Sequence, residues 1–369
     1  GLESRGLGDV YKRQDQMNVW LGTTEKGLIK IPIIAESGDG TNVVMYNTET
    51  GLNSNVIQTV FQDREGSVWV GSFGAGLSAM SDDFFTFYEY KDGDDIYNVT
   101  AIHIGLNYRW FGTGKGLIRT GLNGGEEVDI EFTRQNLEVK VTSIFSRDGK
   151  VYIGTENAGM FMLESDETVA KKLNWNLGKL CDQINQIDAN ADFLWVATNG
   201  GLVSFDLETQ ETDVYGTESG LGHNAIQTVM VDRKGDIWVG TYSRFVYKIT
   251  ETGIDQIELV DVGQLQVKCI VEDLENHVWI GTSESGVFKL YNEKIKHFSM
   301  RDGLYSNYIY SLEHDVNNNM WVGHRGALSK IEEKGNAIST YDYNFGIQGQ
   351  VNTRAMALDK RYNVWIGTD

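Results

Sequence analysis

The chain has 369 residues, with 32 basic against 52 acidic side chains and a formal charge of −20. That balance opposes binding to nucleic acid, which rests on neutralising phosphates, and to an anionic membrane surface; a neutral or cationic ligand stays open. Apolar residues at 41% and aromatics at 11% can fill a continuous core, while a single proline and 42 glycines suit many tight turns rather than long helices. No run approaches the roughly 18 apolar residues of a membrane-spanning helix.

In chain order, residues 1–17 match nothing that follows and read as a non-native leader. From Asn18 onward a tripeptide centred on an aromatic residue recurs: Trp20-Leu-Gly, Trp69-Val-Gly, Trp110-Phe-Gly, Tyr152-Ile-Gly, Trp195-Val-Ala, Trp238-Val-Gly, Trp279-Ile-Gly, Trp321-Val-Gly and Trp365-Ile-Gly. The spacings are 49, 41, 42, 43, 43, 41, 42 and 44 residues, and a period that regular over the whole length means a repeat architecture. Residues 18–369 therefore read as one array, cut at both ends.

The clearest repeat begins Gly51-Leu-Asn-Ser-Asn55. Alternation over Val56 to Phe61 predicts a first short strand and Val68 to Gly71 a second; Gly76 to Met80 starts a third, and Phe84 to Tyr90 makes a fourth. Four strands per repeat is a propeller blade, so the predicted fold is an all-β β-propeller. Between the first two strands an Asp stands three residues before Gly or Asn and six before Trp: Asp63, Asp232, Asp273 and Asp315. Gly or Asn supplies a left-handed turn position and the Asp accepts from the turn's amides, so these acids are turn-formers first. The Trp is expected between neighbouring blades, where its loss would cost about 3–5 kcal/mol.

The repeats vary. Around Trp110 the turn lacks its Asp, Tyr152 replaces Trp, and the Trp195 repeat carries an extra residue with Ala197 for Gly. At the far end, Gly346 to Arg354 departs from the usual Gly-Leu-x-x-Asn lead-in, and Tyr362 stands where Gly or Asn is expected. Residues 351–358 could join residues 18–46 in a mixed eighth blade and close a ring without free edges.

With Gly-Leu-x-x-Asn, Asp-x-x-Gly, Trp-Ile/Val-Gly-Thr and a following Gly-Leu in order, the units resemble the two-component regulator propeller repeat. The resemblance implies the periplasmic sensor part of a bacterial hybrid histidine kinase, with seven-bladed propellers, an immunoglobulin-like module and a membrane span beyond this stretch. It further implies an oligosaccharide or other small neutral ligand, no cofactor, no membrane contact by this region, and room for a homodimer of the intact sensor.

Other chemistry finds little support. Gly112-Thr-Gly-Lys-Gly-Leu117 lacks the Lys-Ser/Thr and helix of a phosphate loop. The six histidines have no zinc spacing, and no nucleophile elbow occurs. Cys181 and Cys269, 88 residues apart, read as buried thiols. Asp92-Gly-Asp-Asp95 reads as an acidic turn or, less simply, a calcium loop. A propeller glycosidase or lyase needs carboxylates facing its substrate, whereas the recurrent acids here belong to turns. A protein-interaction scaffold is the other alternative.

Chain direction puts the loop before the first strand and the loop after Trp-x-Gly on one face. There Tyr242-Ser-Arg244 replaces a Gly-containing turn and His324-Arg325 replaces Thr-x, with Asn224, Lys268, Asn307, Tyr308 and Arg354 beside them. Aromatic and planar polar groups at a concave mouth suit sugars, and these nine residues are the candidate ligand site; no catalytic or metal site is predicted. For Asn55, Asn224 and Asn307 the competing reading is a cap on the start of the strand.

Overall fold

The computed structural model describes residues 11–14, 18–32, 44–48, 52–62, 68–80, 91–92, 95–96, 98–122, 127–132, 139–259, 266–342, 347, 349–360 and 363–368. They are strands joined by turns and short 3-10 turns, and no helix among them is long and apolar enough to cross a membrane. The chain divides into two compact units, Gly1–Thr86 and Phe87–Asp369, where the repeat pattern alone suggests one continuous array.

In the first unit β1 (Tyr11–Gln14), β2 (Asn18–Gly22), β3 (Leu28–Pro32) and β4 (Val44–Tyr46) form an antiparallel sheet in that order. Part of the presumed leader is thus a strand, pairing Tyr11 to Gly22 and Gln14 to Val19. The bare first edge of β2 explains this, since any extended segment beside it satisfies the open ladder. β5 (Ile57–Gln62), β6 (Val68–Ser72) and β7 (Gly76–Met80) make a second sheet, and Trp20, Leu28, Leu52, Ile57, Val68 and Val70 form one buried cluster. The expected turn at Asp63 and the fourth strand at Phe84 to Tyr90 lie outside the described residues.

The second unit opens with a hairpin, β8 (Lys91–Asp92) and β9 (Asp95–Ile96). A sheet of β10 (Val99–Ile104), β11 (Tyr108–Thr113), β12 (Leu117–Gly121) and β13 (Val128–Phe132) follows, then one of β14 (Val141–Arg147), β15 (Lys150–Thr155), β16 (Met160–Glu164) and β17 (Val169–Lys172). These two join edge to edge, because β13 and β17 pair in parallel through Glu131–Val169 and Phe132–Ala170. The next sheets are β18 (Ile184–Ala189), β19 (Phe193–Thr198), β20 (Gly201–Asp206) and β21 (Thr212–Tyr215), then β22 (Ile226–Val231), β23 (Ile237–Thr241), β24 (Phe245–Thr250) and β25 (Gly253–Glu258). After them come β26 (Val267–Glu272), β27 (Val278–Thr282), β28 (Val287–Tyr291) and β29 (Lys294–Phe298), and β30 (Ser311–His314), β31 (Met320–His324), β32 (Ala327–Ile331) and β33 (Ile338–Tyr341). A final pair, β34 (Val351–Leu358) and β35 (Val364–Thr368), completes the series.

The core lies between sheets: one cluster joins Trp195 of β19 to Ile226, Val229, Val239 and Tyr247 of the next sheet. The Gly of Trp-x-Gly permits that approach. A Cβ on Gly240 would stand 2.5 Å from Val267 of the following first strand, and one on Gly154 would stand 2.5 Å from Ile184. The first strands β10, β14, β18, β22, β26, β30 and β34 succeed one another as neighbours, and β34 packs back on β10. Asn352 Nδ2 donates to Val99 O at 2.7 Å, while Trp365 meets the Phe111 ring at 5.8 Å. The second unit therefore forms a propeller that closes on itself through seven sheets. Within this unit β34 pairs with β35 along its ladder and packs on β10.

Candidate functional site

The recurrent acids serve the scaffold. In the turn between β22 and β23, Asp232 Oδ1 accepts from the amides of Lys234 and Asp236, both at 3.0 Å, and Oδ2 accepts from Trp238 Nε1 at 2.8 Å. Asp273 does the same for Glu275, His277 and Trp279, and Asp315 for Asn317, Asn319 and Trp321. Gly235, Asn276 and Asn318 hold the left-handed position at φ 90°, 64° and 63°. Burial pushes the Asp273 carboxyl up, but bonds from Trp279 and the His277 amide and the charges of His277 and Lys289 outweigh it and hold it below its usual range.

The opposite ends of the same strands form the mouth. Antiparallel register sets the start of each first strand beside the end of the second: Val99 with Thr113, Ile226 with Thr241, Val267 with Thr282. There the first strand carries a one-residue bulge, at Thr100, Thr142, Asn185, Gln227 and Lys268 in turn. Several of these side chains bridge to the next sheet. Thr100 donates to Val141 O, Thr142 to Ile184 O and Asn185 to Ile226 O, at 2.6, 2.6 and 2.7 Å. In β34 the register jumps from Val351 to Met356, so the bulge is two residues longer and contains Arg354, at φ +60°.

The nine predicted site residues separate into groups. Arg354 reaches across the strand starts, with Nη1 donating to Gln227 O at 2.5 Å and to Lys268 O at 3.4 Å, and its amide donates to Tyr310 O. Burial draws its guanidinium down to about 10, against partial support from Cys269 and Tyr242. Lys268 is lowered by burial and then by the charge of Arg354. Tyr242 is 42% exposed, its ring 5.6 Å from His223, and Tyr308, 39% exposed, packs on Tyr310 at 4.9 Å. Arg325 is exposed on the loop after β31.

The remaining four have local employment. Asn224 Oδ1 accepts from Thr217 N and Asn307 Oδ1 from Met300 N, both at 2.8 Å, as Asn55 does from Thr48. Arg244 turns to the outermost strand, 3.1 Å from Glu258, and lies over the Phe245 ring. His324 is a correction: it is wholly buried, with Nδ1 donating to Tyr308 O at 3.3 Å and Nε2 accepting from Ser329 Oγ at 2.9 Å. It fills the place where Thr23, Thr155 and Thr282 close the same loop onto a glycine carbonyl, so it cannot meet a ligand. Burial lowers its imidazole to about 4.

Sequence reasoning passed over His223, Gln227 and Tyr310. The one available signal was position, since Gln227 and Tyr310 each lie three residues beyond the Asn of the lead-in. It also missed three titratable groups opposite the second-strand aromatic: His103 faces Trp110, Asp188 faces Trp195 and Glu313 faces Trp321. Burial lowers His103 to about 4 and raises Asp188 to about 6 and Glu313 to about 8, with backbone bonds opposing the last two shifts. Cys181 and Cys269 are buried free thiols, and burial pushes Cys269 up to about 12. Among the described residues no cluster of His, Cys, Asp and Glu could hold a metal ion. A separate polar groove of about 390 Å³ lies toward the rim, lined by Trp175, Phe205, Gln210, Glu211 and Asp213.

Residues 51–74 and 220–243 match the family model described as two component regulator propeller, which agrees with the repeat resemblance. No curated protein matches. Among solved structures, the extracellular domains of two hybrid two-component systems of B. thetaiotaomicron are similar at 17% and 19% identity, with TM-scores of 0.63 and 0.64. Each similarity covers 97% of this chain and 50% of the other, so the chain spans about half the length of these structures. Virginiamycin B lyase from Staphylococcus aureus, with quinupristin, is similar at 12% identity and a TM-score of 0.63, over 76% of this chain and 94% of that one.

Proposed function

We propose that this chain is a non-catalytic, ligand-sensing propeller from the periplasmic part of a hybrid two-component histidine kinase, and that it responds to an oligosaccharide. The observation that carries the reading is the strand-start mouth, where the exposed Tyr242 and Tyr308 lie at the same end of the strands as the planar guanidinium of Arg354. Rings stack on apolar sugar faces and planar donors match hydroxyl pairs. Two repeats matching a regulator propeller model, and likeness to extracellular domains of two-component systems, support the sensor class. The acids of the Asp–Trp turns are consumed by the scaffold at the other end of the strands, which speaks against hydrolysis at the mouth.

Calorimetry against a glycan panel tests this. One oligosaccharide should bind saturably, and Tyr242→Ala or Tyr308→Ala should weaken it about tenfold with little change in melting temperature, as neither ring belongs to the buried core. Arg244→Ala should leave binding unchanged. No glycan bound by the wild type would remove the reading.

The likeness to virginiamycin B lyase favours a second reading, a lyase acting at the same mouth. Product release from quinupristin or a glycan, with a pH profile showing two ionisations, would establish it over the sensor.

A further inference from the structure

Two basic side chains adjoin at the mouth of an acidic protein. The chain carries −20 in formal charge, yet Lys268 and Arg354 adjoin there, the charge of Arg354 depressing Lys268, and among the described residues no carboxylate pairs with either. Two like charges brought together and partly desolvated are unfavourable unless something of opposite sign visits them. Arg354 is also held in place by an unusual backbone. It is a non-glycine residue at φ +60°, in a bulge two residues longer than those of the other first strands, and strain of that kind needs support from its surroundings.

The guanidinium is oriented rather than neutralised. Nη1 is fixed by two backbone carbonyls, of Gln227 and Lys268, which are dipoles and leave the full positive charge in place. Nε is buried without a hydrogen-bond partner, and among the described residues nothing accepts from Nη2. Nε is closed off from solvent, so Nη2 is the donor left to receive a carboxylate oxygen, with the Lys268 ammonium as a second charge nearby.

Resting on the sensor reading, we propose that the ligand is an acidic saccharide, and that Arg354, with Lys268, receives a sugar carboxylate while Tyr242 and Tyr308 pack on the rings. The overall negative field then acts as a filter. It repels anions elsewhere on the surface and leaves this mouth as the place where a uronate is accepted.

The test compares trigalacturonate with galactotriose, and a glucuronate-containing trisaccharide with its neutral parent, by calorimetry on the full chain, with sodium sulfate and sodium acetate as sugar-free anions. One uronate should bind at least about tenfold more tightly than its neutral parent, and its affinity should fall as salt rises from about 0.05 to about 0.5 M. Arg354→Gln and Lys268→Gln should each remove about tenfold or more of the uronate affinity, a clearly larger loss than for the neutral parent. Lys268 makes no described side-chain hydrogen bond, so its replacement separates recognition from folding, and a melting curve checks both variants. Equal binding of neutral and acidic sugars, or variants that leave uronate affinity intact, would overturn the inference while the sensor reading stands. Sulfate or acetate bound with no sugar bound would overturn the saccharide itself, and with it both readings.

Discussion

The indole Nε1 of Trp238 donates to Oδ2 of Asp232 at 2.8 Å, while the other carboxylate oxygen holds two amides of the turn between them. The two residues, six apart, are one device: the acid shapes the hairpin and fixes the ring that fills the gap between sheets. Asp273–Trp279 and Asp359–Trp365 repeat it at 2.8 Å. Replacing Asp232 by Ala should cost on the order of 3 kcal/mol in urea unfolding, because three bonds to a carboxylate are lost, and Asn should cost less because one acceptor oxygen survives.

The Trp195 ring lacks that device. Its turn carries Asn190, whose Oδ1 accepts from Asp192 and Phe193, and the indole Nε1 is buried without a partner. Trp238→Phe should therefore be more destabilising than Trp195→Phe, by about 1–2 kcal/mol, since only the former breaks a bond to a charge. Equal losses in parallel denaturant melts would show that the Asp–Trp bond contributes nothing net.

His103 and His324 are held neutral by burial, at about 4 against an ordinary 6.5. The unfolded chain binds protons there that the folded chain refuses, so stability is lost as pH falls from about 6.5 toward 4, on the order of 2 kcal/mol for each ring. His324→Thr, which installs the residue of most other repeats, should flatten that part of the stability–pH curve even if it lowers stability at pH 7.

Glu313 runs the other way. Its carboxyl stays protonated in the folded chain to about pH 8 and ionises near 4.5 when unfolded, so stability falls as pH rises through that interval. Glu313→Gln keeps the acceptor for the His314 amide and removes the charge. The variant should melt higher than the wild type at pH 8–9, with the difference on the order of 3 kcal/mol or less and vanishing near pH 4.

Gly240 has Thr228 and Val267 against the place of a side chain, at 2.4 and 2.5 Å from an added Cβ. Gly240→Ala should cost about 1–3 kcal/mol by overpacking, although its counterpart in the Trp195 sheet is naturally Ala197.

Much of this was legible in the chain because it recurs. The Trp-x-Gly spacing, the Asp turns with their Gly or Asn, and the caps at Asn55, Asn224 and Asn307 depend on residues within a few positions of one another, and such local chemistry leaves a repeating trace. What escaped depends on neighbours distant in sequence. His324 read as a surface variation because nothing in its own repeat announces that Ser329 and the Tyr308 carbonyl enclose it. The bulges at Gln227 and Lys268 look like ordinary alternation until the second strand supplies the register. Arg354 stood out by breaking the pattern, but its reach to Gln227, 127 residues away, is a property of ring closure alone.

The parallel seam between β13 and β17 has a consequence for how the array can be taken apart. The sheets of Trp110 and Tyr152 both lack the Asp of the turn, and they are stitched at the perimeter instead. Arg119 donates to Ser165 O and Glu167 O at 2.6 and 3.0 Å and lies over the Tyr108 ring, whose hydroxyl donates to Asp166. The four repeats that follow these two, β18–β21, β22–β25, β26–β29 and β30–β33, each form a sheet of their own four strands. These two share an edge, so neither could be excised, duplicated or transplanted alone without leaving a raw strand behind, and for protein engineering they count as one 80-odd-residue piece, about twice the usual repeat length.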